Sequence, residues 1–177
     1  MLMDKIKHLF GLLLFTSLLW AQPKALVITI DQAITPPVSE YLLAGLKEAD
    51  AENYDVAIIE IDTPGGLYTT TRAIGQAILN SKVPVITYVS PQGARAASAG
   101  TFILYASHLA AMAPGTHLGS ATPISVVPSS EEQKPQAAEN KLMEDTRAYA
   151  RSLAQYHGRN ESFILSAVNE ATSLTAI

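Results

Sequence analysis

Short apolar runs alternate with stretches in which apolar residues recur every three to four positions, the pattern of strands and amphipathic helices taken in turn. Ala25–Ile30 (ALVITI) predicts a first strand and Val56–Ile61 (VAIIEI) a second, buried one. Between them, behind Pro36 and Pro37, the spacing of Val38, Tyr41, Leu42 and Leu46 predicts a helix over 38–52. Asp62-Thr63-Pro64-Gly65-Gly66 closes the second strand, and Ile74 and Ile78 share one face of a helix over 67–79. Val83–Val89 predicts a third strand, ended by Ser90-Pro91-Gln92-Gly93. The small residues 94–100 lead through a tight turn into a helix over 101–106, and 108–113 reads as a fourth strand. Residues 117–138, with Pro123, Pro128 and Pro135, several serines and the pair Glu131-Glu132, read as a mobile loop. A structureless connection of that length is functional or disordered in a compact domain. Helices over 139–156 and 161–170 follow, the second capped by Asn160. Strands alternating with helices predict one α/β domain with no internal repeat.

The first residues break this pattern. Lys5, Lys7 and His8 precede an apolar run from Leu9 to Ala21, shorter than the roughly 20 residues of a membrane span. A basic start, a short apolar stretch and a small residue at Ala21 predict a secretory signal peptide, or an uncleaved N-terminal anchor, over 1–21. The working compartment is then extracytoplasmic.

Composition narrows the chemistry. The 177 residues are 48% hydrophobic and 16% charged, outside the range of disordered chains. Twelve Lys and Arg against sixteen Asp and Glu give a net charge of −4, with no basic cluster to serve as a nucleic-acid footprint. Without cysteine there is no thiolate nucleophile and no Cys-ligated metal. His8, His108, His117 and His157 show no short metal-ligand spacing, so neither metal nor cofactor is expected.

Two glycine-containing turns, DTPGG at 62–66 and GARAASAG at 93–100, follow consecutive strands, where α/β folds expose backbone N–H groups. Gly65 and Gly66, lacking Cβ, let the backbone approach a substrate carbonyl as an oxyanion hole. Ser98 stands among alanines and Gly100 at a helix start, with room for an acyl group and a favourable helix dipole. On spacing alone, PGG is equally a plain turn and Ser98 equally an N-cap. A nucleophilic serine needs a base. His117 and His108 are candidates, and so are Lys141, at the start of the helix after the loop, and, less favourably placed, Lys134.

The segments IDTPGG (61–66), VPVITYVSPQGARAASAGTFI (83–103) and HLAAMAPGTHLGSATP (108–123) resemble the NfeD-type membrane serine proteases, the stomatin operon partners. These are distant relatives of the ClpP and signal-peptide-peptidase-A proteases, and the likeness runs from about residue 25 to 177. It implies a ClpP/crotonase-like α/β domain of repeated β-β-α units over 22–177. Ser98 corresponds to the family's nucleophile. Lys141, opening KLMEDTRAYARSLAQYHGRN, corresponds to its general base. Gly65 and Gly66 then line the oxyanion hole. The resemblance further implies hydrophobic peptide substrates, such as part of a stomatin-like membrane protein, membrane association and a homo-oligomer. Family members continue past SLTA, so a chain ending at Ile177 is expected to lack the C-terminal part of the domain. Two other readings follow from the same residues: a non-catalytic scaffold for a stomatin-like protein, and a crotonase-type acyl-CoA enzyme, which the export signal disfavours.

Overall fold

Alternation decides which side of each strand is buried. In β1 (Ala25–Ile30), Ile28 and Ile30 turn inward while Val27 stays half-exposed. In β2 (Val56–Ile61) the inward set is Ala57, Ile59 and Ile61. In β3 (Val85–Val89) it is Val85, Thr87 and Val89. The computed structural model describes residues 22–124 and 136–177. These three strands and β5 (Leu109–Met112) form a four-stranded parallel sheet in the order β1-β2-β3-β5. The register runs Ile28↔Ile59 and Ile59↔Thr87, so the inward side chains line up in rows across the sheet.

Helix α1 (Pro36–Ala51) connects β1 to β2, and α2 (Tyr68–Leu79) connects β2 to β3. Each buries one stripe, Val38, Leu42 and Leu46 in the first, Ile74 and Ile78 in the second. Gly45 lets α1 settle on the sheet, because a Cβ there would stand 2.7 Å from Ile28 Cδ1. Helix α3 (Ala99–Ala106) is buried at every position, as its uninterrupted apolar sequence requires of a central helix. Helices α4 (Gln136–Tyr156) and α5 (Glu161–Asn169) complete the core through Leu153, Ile164 and Val168. Asn160 caps α5 as expected, its side chain accepting from the Phe163 N–H at 2.9 Å.

Three short strands depart from the sequence reading. β4 (Arg95–Ala97), β6 (His117–Gly119) and β7 (Ser173–Thr175) form a second sheet in the order β4-β6-β7, the first pair parallel and the second antiparallel. Residues 117–119, expected in the loop, are therefore strand, because they gain backbone partners on both sides. Residues 95–97, expected as a turn, are strand as well. Helix α3 starts at Ala99 rather than Thr101, and α4 starts three residues earlier than expected. The rest of the expected mobile loop falls mainly on 125–135, outside the described residues, as does the expected signal segment 1–21. Among the described residues no helix is long and apolar enough to cross a membrane.

Candidate functional site

The PGG turn and Ser98 meet where the two sheets join. Past β2, the chain pairs with β4: Thr63 N–H donates to Arg95 O at 2.7 Å and Ala97 N–H donates to Thr63 O at 3.1 Å. Asp62 Oδ1 accepts from Arg95 N–H at 3.0 Å. This stitching brings Gly65 against Ser98. A Cβ on Gly65 would stand 2.5 Å from Ser98 Cβ and 3.0 Å from its Oγ, and φ of +114° is itself unfavourable for any other residue. Gly66 is equally constrained, since a Cβ there would meet Ile34 O at 2.1 Å.

The turn is held from below. Gly65 O accepts from Ile34 N–H at 2.8 Å and from the buried Thr63 hydroxyl at 3.3 Å. In a trans peptide the carbonyl and the following N–H point in opposite directions. Pinning Gly65 O therefore turns Gly66 N–H away from those groups, and among the described residues it has no acceptor. Gly65 N–H, by contrast, is taken up by Thr63 Oγ1 at 3.1 Å.

Ser98 has φ 51° and ψ −112°, a combination rare for a residue with a side chain. Such a conformation costs of the order of 1–3 kcal/mol and persists only where neighbours impose it. Here Ser98 N–H donates to Gly119 O at 2.8 Å and Ser98 O accepts from Thr101 N–H at 3.0 Å. Thr101, fully buried, donates through Oγ1 to Ala96 O at 2.8 Å and Gly119 O at 3.1 Å, and accepts from Gly119 N–H at 2.9 Å. Ser98 occupies the N-cap position of α3, yet its side chain makes no capping bond. Its hydroxyl, half-buried, has no hydrogen-bond partner among the described residues. That removes the N-cap explanation for a serine here and leaves Oγ available beside the PGG turn at the positive end of a buried helix.

The candidate bases are dispersed. His108 Nδ1 accepts from Val85 N–H at 3.1 Å and its ring packs on His157, 5.7 Å between centroids. It therefore sits at the start of β3, about 13 Å of strand away from the end where Ser98 lies. His117 is half-buried on β6, two residues from Gly119 and so on the same side of that strand. Lys134 lies outside the described residues. Lys141 is exposed near the start of α4, and among the described residues no hydrogen bond joins it to Ser98. No cluster of three His, Asp or Glu side chains suited to a metal occurs among the described residues.

Helix α4 nevertheless keeps a definite register with α2. Tyr68 Oη donates to Asp145 Oδ2 at 2.8 Å, and four residues further along each helix Arg72 lies over the Tyr149 ring, 4.0 Å from its centroid. The helices therefore run side by side in parallel. An open groove of about 710 Å³ lies between them, lined by Arg72, Gln76, Asp145, Tyr149 and Ser152 among others. Tyr149 reaches through to the α2 backbone, where a Cβ on Gly75 would stand 2.0 Å from its hydroxyl. That hydroxyl is buried without a partner among the described residues, and burial pushes its pKa up to about 12. Thr63, Thr101 and the Tyr68–Asp145 pair escaped the sequence reading; only the threonine inside DTPGG carried a local signal.

Comparison with known proteins agrees with the resemblance. The membrane-bound protease PH1510 of Pyrococcus horikoshii is 45% identical over 127 residues, which is 72% of this chain and 28% of that protein. The chain thus spans less than a third of that relative's length. Two solved structures of the 1510-N membrane-bound stomatin-specific protease superpose closely. One, a serine-to-alanine mutant, has a TM-score of 0.79 at 38% identity, covering 88% of this chain and 74% of that one. The other, a lysine-to-alanine mutant in complex with a substrate peptide, has a TM-score of 0.78 at 39% identity, covering 88% and 70%. Residues 24–177 match the family described as NfeD1b, N-terminal domain. The chain belongs to the NfeD1b N-terminal-domain family.

Proposed function

We propose that this chain is the ClpP/crotonase-like protease domain of a membrane-associated, extracytoplasmic protein, a serine endopeptidase with a Ser98–Lys141 dyad. Its substrate is a hydrophobic peptide segment of a stomatin-like membrane protein, and it works as a homo-oligomer. The observation that carries the reading is Ser98 itself: a strained backbone, an uncapped hydroxyl, and a glycine turn in contact with it. The names of the relatives support the substrate class, since 1510-N is described as a stomatin-specific protease and was solved with a substrate peptide.

In the first half of the reaction Ser98 Oγ attacks the scissile carbonyl carbon while its proton passes to the neutral amine of Lys141. Gly66 N–H receives the developing oxyanion, joined by Gly65 N–H once that group leaves Thr63 Oγ1. Collapse breaks the C–N bond, and the Lys141 ammonium protonates the departing amine. Water, deprotonated by Lys141, then attacks the Ser98 ester; the C–Oγ bond breaks, the Lys141 ammonium returns the proton to Ser98 Oγ, and the acid is released.

The test is cleavage of a hydrophobic peptide by the parent chain, Ser98→Ala and Lys141→Ala, with folding followed by circular dichroism. Cleavage by the parent and loss of at least a thousandfold in both folded variants is the expected result. Full activity in Lys141→Ala would return attention to His117. A folded parent with no turnover favours the scaffold reading.

A further inference from the structure

We infer that Tyr68 and Asp145 are a positioning pair, a clasp that sets Lys141 at the mouth of the Ser98 site. Asp145 stands four residues after Lys141, one turn away on the same face of α4. Tyr68 is the first residue of α2 and follows the PGG turn after a single intervening residue. Their hydrogen bond at 2.8 Å joins the two helices, with the Arg72–Tyr149 contact as the next rung in the direction away from the turn. Moving the other way by one turn leads to Lys141 on α4 and to Pro64–Gly66 on the opposite side. Gly65 in turn touches Ser98. The clasp is thus the rung nearest the chemistry.

Beyond this rung α4 is held lightly. Its fully buried residues begin at Thr146, and in the turn that bears Lys141 Met143 packs, partly buried, against the core, so the contact at Asp145 is the second anchor of that turn. Burial raises the pKa of the Tyr68 hydroxyl above its ordinary value, the nearby Thr146 hydroxyl opposing that rise and the Asp145 carboxylate adding to it. Asp145 acts as an acceptor, a role an amide oxygen can fill as well as a carboxylate. Neither residue takes part in bond making.

The inference rests on the Ser98–Lys141 reading, and two readouts separate them. In peptide cleavage, Tyr68→Phe and Asp145→Ala are expected to lower kcat about ten- to a hundredfold with KM little changed, while Asp145→Asn stays close to the parent. The second readout needs no turnover. Because the chain has no cysteine, Ser98→Cys/Lys141→Cys carries only two thiols, and a short bismaleimide reports how often residue 141 visits residue 98. Cross-linking in this background is expected to slow about tenfold on adding Tyr68→Phe or Asp145→Ala and not on adding Asp145→Asn. Loss of one hydroxyl at a solvent-accessible rung leaves the core intact, and melting curves verify it. Equal cross-linking in all backgrounds, or unchanged kcat in an active parent, overturns the clasp. Clasp-dependent cross-linking in a parent that cleaves nothing keeps the clasp and rejects the protease.

Discussion

Replacing Thr101 by valine tests whether the conformation at Ser98 is imposed by the hydrogen bonds beneath it. The substitution keeps shape and removes one hydroxyl. That hydroxyl, in a residue with 0% exposure, donates to Ala96 O and Gly119 O and accepts from Gly119 N–H. Valine deprives the buried Ala96 O and Gly119 O of a donor and takes from Gly119 N–H one of its two acceptors, the other being Ala96 O across the β4–β6 pair. A loss of about 2 kcal/mol follows, or roughly 4–8 °C in Tm for a domain of this size. Thr101→Ser provides the control. It deletes a buried methyl, worth about 1 kcal/mol, and retains all three bonds. The smaller side chain is therefore expected to destabilise less than the isosteric one, the reverse of a packing argument. Urea unfolding of the parent and both variants, compared at constant m, measures this directly. The same valine variant should also lose activity beyond its loss of stability, because Gly119 O is the acceptor for Ser98 N–H. If valine proves milder than serine, the site is held by packing and the hydrogen-bond account is wrong.

Two further expectations concern the helices behind the site. Tyr149→Phe removes a buried hydroxyl that has no partner among the described residues and should stabilise the fold by about 1 kcal/mol. Gly75→Ala drives a methyl toward the same hydroxyl and should cost about 1–3 kcal/mol, much of it recovered in the Gly75→Ala/Tyr149→Phe double variant; strict additivity in thermal melts would refute the contact. His157 has its pKa lowered by burial, which outweighs the hydrogen bond from its Nε2 to Ala106 O at 2.9 Å. A group whose folded pKa is depressed contributes stability above its unfolded value of about 6.5 and loses it as pH falls through the folded one. Stability should therefore decline on the acid side of about pH 6.5, and His157→Gln should flatten that part of a Tm–pH profile.

The long elements were legible because each states its burial locally. ALVITI and VAIIEI are short apolar runs rich in β-branched residues, and their ends as read match the observed strands. Ile74 and Ile78 mark the stripe of α2 in the same way. The second sheet was not legible, since a strand such as His117-Leu118-Gly119 has no pattern of its own. It exists because Arg95–Ala97 and Ser173–Thr175 arrive on either side of it. The prolines and serines beyond it then drew the loop reading too far toward the N-terminus. At the site, glycines and small residues pointed to a place where backbone and substrate could come close, but they could not disclose the torsion at Ser98. That torsion depends on Thr101, a residue that reads as one more small side chain in an apolar helix. Lys141 was a candidate base by its place after the loop, but resemblance alone raised it above the others, because nothing in KLMED distinguishes a base from a solvated lysine.

The torsion at position 98 also bears on how such a chain can change over time. Glycine accepts φ of 51° with ψ of −112° at little cost, whereas serine there carries of the order of 1–3 kcal/mol of strain. A lineage with no further need of the hydroxyl would gain stability by drifting to glycine, through a change that disturbs neither of the two backbone bonds it makes to Gly119 and Thr101. Stability selection and the retention of a nucleophile thus pull this one codon in opposite directions. In any set of descendants, the identity of residue 98 becomes a reporter of whether the chemistry is still in use.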